Sequence, residues 1–243
     1  MVELKERSIQ ENLGCLILGI DDAGRGPVIG PMVLSGCLMD KEVEKDLKEH
    51  GVMDSKVLTR QLREGLDKQI KKKVISYCSK KATPAEIDTG MGQGLNLNQV
   101  EAMLASIIID NLTKDLTASE KQNLKIVIDC PSNNINGWKN QLMDYIKDKK
   151  LNISCEHKAD VDHVAVSAAS IISKVRRDNE IKKLREKIGI DFGSGYPNDP
   201  KTKDFLKKHV NDFKKERIFR ETWSTWQEAK QNFKTRQAKL PDY

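Results

Sequence analysis

The sequence predicts an α/β layered domain with a mixed β-sheet and a helical C-terminal extension. Three observations carry this: strand candidates concentrated early in the chain, strict alternation of helix and strand after residue 96, and two basic helical stretches beyond residue 200. At 243 residues the chain is sized for one domain with an appendage, and 38% hydrophobic residues suffice for a core. The segment "GCLILGI" (14–20) reads as a buried strand. A Gly/Pro-rich turn, "AGRGPVIGP", follows, and "MVLSGCLM" (32–39) pairs back on the first strand as a hairpin. "KEVEKDLKEHG" (41–51) is a short helix ended by Gly51. Thr59 caps a second helix running to about Lys73, with Leu62, Leu66 and Ile70 on one stripe, and "KVISYCS" (73–79) is a third strand.

Further along, "NLNQVEAMLASIIIDNL" (96–112) is helical, with Val100, Met103, Leu104, Ile107 and Ile108 at helical spacing. "LKIVIDC" (124–130) is the clearest buried strand, followed by a helix over 137–147, a strand over 151–157 and a long helix over 166–187. In that last helix Ser167, Ala168, Ala169 and Ser170 suit close approach to a sheet. The loop "GSGYPNDP" (193–200) leads to basic helices over 201–215 and 223–239. The expected division is residues 1–190 as the α/β layered domain and 191–243 as loop and basic extension, working as one unit.

Charge and composition narrow the function classes. The net charge is +6, yet residues 171–220 hold 15 Lys/Arg against 8 Asp/Glu, so the rest of the chain is slightly acidic. A basic segment on a near-neutral body suits a polyanion, or else is a solvated helix surface. No apolar run approaches the ~20 residues of a membrane span, and "MVELKERSIQ" lacks the apolar core of a signal peptide, which points to the cytoplasm. Five widely spaced cysteines without a C-x-x-C speak against a disulfide framework or a zinc ribbon.

The chemistry concentrates at strand ends. Asp21, Asp22, Asp129 and Asp160 each lie at or just beyond a strand end, where α/β sheets place their sites. Asp21 and Asp22 are adjacent, so their side chains converge only where the strand starts to break, and "AGRG" supplies that break. Asp129 ends an apolar strand, an expensive place for a lone charge. Gathered carboxylates repel one another unless a cation separates them, and Mg²⁺ or Mn²⁺ bound by oxygen alone answers that need. The segment "GRGPVIG" fails the dinucleotide fingerprint, because a strand follows where a helix should, and no P-loop occurs. His157 and His163 stand beside Asp160 as neighbours rather than ligands.

"GIDDAGRGPVIGPMV" (19–33), "DSK" (54–56), "VIDCPS" (127–132), "HKADVDHVAVSAASIISKVRRD" (157–178) and "GSGYPNDPKT" (193–202) resemble, in order and spacing, the ribonuclease HII family. The resemblance covers roughly residues 14 to 226, and "FRETWSTWQEA" is similar to the archaeal and eukaryotic branches. It implies a ribonuclease H-like fold with a mixed five-stranded sheet. It also implies an endonuclease that cuts the RNA strand of RNA–DNA hybrids and nicks DNA at embedded ribonucleotides, with a place in DNA replication and ribonucleotide excision repair. The catalytic acids would be Asp21, Asp22, Asp129 and Asp160, holding two Mg²⁺ or Mn²⁺ ions and leaving 5′-phosphate and 3′-hydroxyl ends. Gly24, Arg25 and Gly26 would sense the ribose 2′-hydroxyl, Tyr196 would stack near the sugar, and Lys56 and Lys174 would contact phosphate. The archaeal type implies a monomer. One departure is Asp22, where the family reads Glu. It motivates an alternative, a hybrid-binding protein with weak or lost cleavage.

Overall fold

The structure, a computed structural model, describes residues 3–5, 14–54, 58–213 and 215–237. Strands β1 (Glu3–Lys5), β2 (Leu16–Ala23), β3 (Met32–Asp40), β4 (Ser76–Ala82), β5 (Leu124–Asp129) and β6 (Asn152–Glu156) form one sheet in the order β1-β4-β3-β2-β5-β6. Five of these are the expected mixed sheet, and the three-residue β1 adds an edge against β4. β2 and β3 are the anticipated antiparallel hairpin, with Asp21 opposite Ser35. β5 and β6 run parallel to β2, the arrangement that needs helical crossovers. Leu124, Ile126, Val127 and Ile128 are buried along β5, which is why its sequence reads as a near-continuous apolar run.

The helices are α1 (Lys41–Glu49), α2 (Arg60–Lys73), α3 (Pro84–Gly92), α4 (Leu97–Thr113), α5 (Ala118–Gln122), α6 (Ile135–Tyr145), α7 (Ala159–Asp162), α8 (Val164–Ile188), α9 (Pro200–His209) and α10 (Ser224–Gln237). α2 starts where the sequence indicates, with the Thr59 side chain accepting the Leu62 amide at 3.3 Å. Its expected stripe is only partly right: Ile70 is buried, while Leu62 is 57% exposed. α4 shows the same shift, since Met103 and Ile107 turn outward while Glu101, Ala105 and Ile109 are buried. The third strand candidate at 73–79 begins later, at Ser76, because α2 runs through Lys73 and Val74 is its C-cap.

The residues group into two compact units, each discontinuous in sequence. The first comprises residues 1–23, 33–81 and 97–176, and the second residues 24–32, 82–96 and 177–243, so α8 contributes to both. In the first unit the N-terminal half of α8 lies directly on β2. A Cβ added at Gly19 would come within 2.1 Å of the Ala165 carbonyl carbon and 2.2 Å of the Val166 nitrogen. Glycine on the strand and a helix face of Ala165, Ser167, Ala168, Ala169 and Ser170, all fully buried, allow this approach. The second unit has its own core, in which Val28, Ile29, Ile181, Phe192, Leu206, Ile218 and Trp226 cluster with Phe205. Phe205 lies 5.7 Å from the Phe192 ring and 5.8 Å from Phe213.

Candidate active site

Register places the first carboxylates. Ile20 pairs with Ile128 across parallel strands, so Asp21 and Asp129 occupy matching positions one residue further on. Parallel strands in register point matching side chains to the same face. β2 runs through Asp21 and Asp22 and ends at Ala23, the first residue of "AGRG". The alternation survives in their burial, Asp21 being only 6% exposed and Asp22 half-buried.

Asp21 is held in place from several sides. Its Oδ1 accepts the Asp22 amide at 2.7 Å, and its own carbonyl accepts the Ser173 hydroxyl of α8 at 3.0 Å. Burial pushes its carboxyl well above the usual carboxylate range, and the charges of Asp22 and Asp129 push the same way. The Ser170 hydroxyl of α8 pulls in the opposite direction. Asp129 Oδ1 accepts the Ala159 amide at 3.0 Å, which ties the end of β5 to the first residue of α7. Asp160, next along that helix, is buried at 4% exposure. Lys158, before it, adopts a left-handed conformation (φ 57°) that turns the chain into α7.

These residues fit a hard divalent cation by donor type and by charge. All are carboxylate oxygens, two are buried, and like charges beside Asp21 raise its proton affinity, a cost that a cation would remove. Among the described residues no three Asp, Glu, His or Cys side chains close into a ready-made ligand cage. The histidines are engaged elsewhere: His163 Nε2 lies 2.8 Å from Glu156 Oε2, and His157 Nδ1 3.2 Å from the Cys130 carbonyl. Ser154 and His163 together hold the Glu156 carboxyl below its ordinary value. Lys174 is half-buried on α8, and Lys56 lies outside the described residues.

The second unit holds the glycine-rich loop and Tyr196. Gly24 has φ +84°, and a Cβ there would meet the Arg177 side chain at 2.6 Å and the Pro31 carbonyl at 2.8 Å. Arg177 donates to the Ser194 carbonyl at 2.8 Å, and its guanidinium lies 5.0 Å from the centre of the Tyr196 ring. Tyr196 is 38% exposed, and a Cβ at Gly26 would lie 3.7 Å from its ring edge. Asp199 shapes the tyrosine loop, accepting the Ser194 amide at 2.6 Å and capping α9 through the Lys201 amide. Hydrogen bonds from Ser194 lower its carboxyl to about 2. Val28 and Ile29 donate to the Gly195 carbonyl, so the two loops are joined through backbone.

Sequence reasoning missed the arginines. Arg220 is fully buried and donates to the carbonyls of Gly24 (2.6 Å), Arg25 (2.7 Å) and Gly30 (3.1 Å). Only the resemblance of "FRETW" to the family singles out this stretch; composition does not separate Arg220 from its basic neighbours.

A mixed sheet of this order with acidic residues at adjacent parallel strand ends is the architecture of ribonuclease H-like phosphodiester hydrolases. The ribonuclease H2 of Pyrococcus horikoshii OT3 is a structural neighbour with TM-score 0.76 and 35% identity, covering 90% of this chain and 99% of its own. The family model for ribonuclease HII matches residues 18–226. Curated relatives include the ribonuclease HII of Methanococcus maripaludis strain C6, 39% identical over 222 residues (90% of this chain, 88% of the relative). That of Methanocaldococcus jannaschii is 42% identical over 217 residues (86% and 93%). The chain belongs to the ribonuclease HII family, metal-dependent hydrolases that cleave RNA in RNA–DNA hybrids.

Proposed function

We propose that this protein is an endonuclease that hydrolyses the RNA strand of RNA–DNA hybrids and nicks duplex DNA on the 5′ side of embedded ribonucleotides, leaving 5′-phosphate and 3′-hydroxyl ends. The observation that carries the reading is Asp21, a buried carboxyl whose proton affinity is raised by burial and by Asp22 and Asp129. Such a group is poised to exchange a proton for a divalent cation. Asp21, Asp22, Asp129 and Asp160 would hold two Mg²⁺ or Mn²⁺ ions. When bound, these supply Lewis-acid stabilisation of phosphoryl charge and lower the pKa of the attacking water.

The chain's own residues supply position and selection. Ser173 and the Asp22 amide fix the Asp21 backbone and carboxylate, so the strand end is set before substrate arrives. Gly24, Arg25 and Gly26 offer backbone donors to the ribose 2′-hydroxyl, the group that separates RNA from DNA. Tyr196, steadied by Arg177, stacks near that sugar. Lys56 and Lys174 contact phosphate, positioning the strand without reading its sequence. The protein acts as a monomer in the cytoplasm, and gel filtration of the pure chain checks the first of these.

The test is cleavage, with Mg²⁺ and with Mn²⁺, of three substrates: a long hybrid, a DNA duplex holding one ribonucleotide, and an all-DNA duplex. Cutting of the first two and not the third is expected. Cutting of the third refutes the 2′-hydroxyl reading. Tight binding without cutting of any establishes instead the hybrid-binding alternative that Asp22 motivates.

A further inference from the structure

Arg220 and Trp223 form a clamp on the glycine-rich loop. The Arg220 guanidinium, wholly excluded from solvent, reaches three carbonyls of one loop: Nε to Gly30, one terminal nitrogen to Arg25 and the other to Gly24. The Trp223 indole N–H donates to the next carbonyl, Gly26, at 3.3 Å, and its ring lies 4.9 Å from the same guanidinium. Backbone bonds close the arrangement: Arg220 N donates to the Val28 carbonyl at 2.9 Å and Gly30 N to the Ile218 carbonyl at 3.0 Å. Asp88 of α3 in turn holds the clamp segment, accepting the Glu221 amide at 2.8 Å and the Thr222 amide at 3.2 Å.

The consequence follows from peptide geometry. In a trans peptide the carbonyl of one residue and the amide of the next point in opposite directions, and no cis bond occurs among the described residues. With the Gly24 and Arg25 carbonyls turned onto Arg220, the N–H groups of Arg25 and Gly26 are turned away from it, side by side. Pro27 has no N–H, so the run of outward donors stops there. Two successive amides aimed the same way form a small concave donor site for an oxygen.

We infer that Arg220 is a positioning residue for ribose recognition: through the carbonyls of Gly24 and Arg25 it sets the direction of the Arg25 and Gly26 amides that meet the 2′-hydroxyl. The inference rests on the proposed role of the loop. Removing the guanidinium leaves three carbonyls without their donor and frees both peptide planes to rotate. Lysine cannot replace it, because one ammonium on a flexible stem does not span three carbonyls in a planar fork.

The experiment uses Arg220→Gln and Arg220→Lys in the full chain. Backbone amide exchange and cleavage of a single-ribonucleotide duplex and a long hybrid are measured side by side. Exchange at the Gly30 amide, which donates to the Ile218 carbonyl beside the clamp, should rise at least about tenfold, what one lost charge-assisted hydrogen bond accounts for, with β5 unchanged. Single-ribonucleotide kcat/KM should fall further than hybrid kcat/KM in both variants. Unchanged exchange at Gly30, or equal losses on the two substrates, overturns the inference. Should neither variant fold, Trp223→Phe, which deletes the bond to Gly26 and keeps a smaller aromatic ring beside Arg220, is judged by the same two criteria. Gly26→Ala separates a failure of the clamp from a failure of the loop, since its Cβ makes only ordinary contact with Tyr196. If Gly26→Ala shifts the substrate ratio and the Arg220 variants do not, the clamp is wrong and the loop reading stands. If neither shifts it, the loop reading itself falls, and the inference with it.

Discussion

Asp21 carries a proton-linked cost that can be measured without any substrate. Its folded-state carboxyl titrates above its unfolded value, so between the two the folded chain holds a proton that the unfolded chain has lost. Stability of the metal-free protein therefore falls as pH rises from about 4 through the folded value, and the penalty is fully present above it. Asp21→Asn should flatten that fall and raise Tm at pH 7 by about 2–4 °C for each kcal/mol relieved. Mg²⁺ or Mn²⁺ should raise the Tm of the parent above pH 7 and leave the variant unmoved. Thermal unfolding from pH 4 to 8, with chelator and with metal, checks both, and an identical pH slope in the variant would mean that another group carries the linkage. Turnover should drop ~10²-fold or more, since several kcal/mol of metal-supplied stabilisation is lost. Asp22 is the other residue to test, since an aspartate is one methylene shorter than a glutamate and so about 1.5 Å short of a glutamate's reach on an unshifted backbone. Mg²⁺ insists on near-octahedral geometry, while Mn²⁺ binds a given ligand set more strongly. Asp22→Glu should accordingly raise the Mg²⁺/Mn²⁺ rate ratio; a lower ratio would mean that the β2 backbone has moved to restore reach.

At the scale of elements, the contact of β2 with α8 is what places the site. Gly19 admits the α8 backbone to the sheet, and Ser173, two turns along that helix from Val166, then reaches the Asp21 carbonyl. Gly19→Ala puts a methyl group where the Ala165–Val166 peptide lies. The clash is with backbone, so the helix must lift, and the cost should reach or exceed the ~1–3 kcal/mol of ordinary overpacking. Urea unfolding would measure it, and a loss below ~0.5 kcal/mol would show that α8 adjusts freely. The same contact explains which elements are legible in the sequence. The small-residue face of α8 and the apolar run of β5 announce their packing because burial on every side leaves a compositional mark. α4 does not, because its apolar residues cover more than half the circumference and periodicity alone cannot choose between Met103 and Ala105 for the core. α3 escapes the sequence reading despite its own signals: Pro84 in the first turn and a Thr83–Glu86 capping box, with Glu86 N to Thr83 Oγ1 at 3.2 Å. The four aspartates are visible as charges at apolar strand ends. Arg220 is not, because its carbonyl partners lie 190 or more residues away and nothing local marks an arginine as buried.

Taken over the whole molecule, the net positive charge lies within residues 171–220, with 15 Lys/Arg against 8 Asp/Glu, and how much of it faces a polyanion depends on which lysines are already paired. On α9, Lys208 lies 2.6 Å from Asp204, and Lys201 lies 2.7 Å from Asp191. Lys203 and Lys207 are exposed on the same helix, and both line a cleft with Leu206, Ala229 and Phe233. A lysine that neutralises a phosphate releases a counterion, and each such contact contributes ~0.9 to the slope of log affinity against log salt on a duplex. A lysine already balanced by an aspartate at hydrogen-bond distance releases less, since its field is partly cancelled before the nucleic acid arrives. Lys203→Ala and Lys207→Ala together should therefore flatten the slope by about 1–2 and weaken binding mainly at low salt. Lys208→Ala should change it less, because a lysine whose field Asp204 already offsets releases little counterion. Titrations of a hybrid duplex between roughly 50 and 300 mM salt distinguish the cases, spanning the range in which such slopes are resolved. Equal slopes for the parent and the double variant would show that α9 meets bulk solvent, and the basic excess of this segment would then serve solubility rather than substrate.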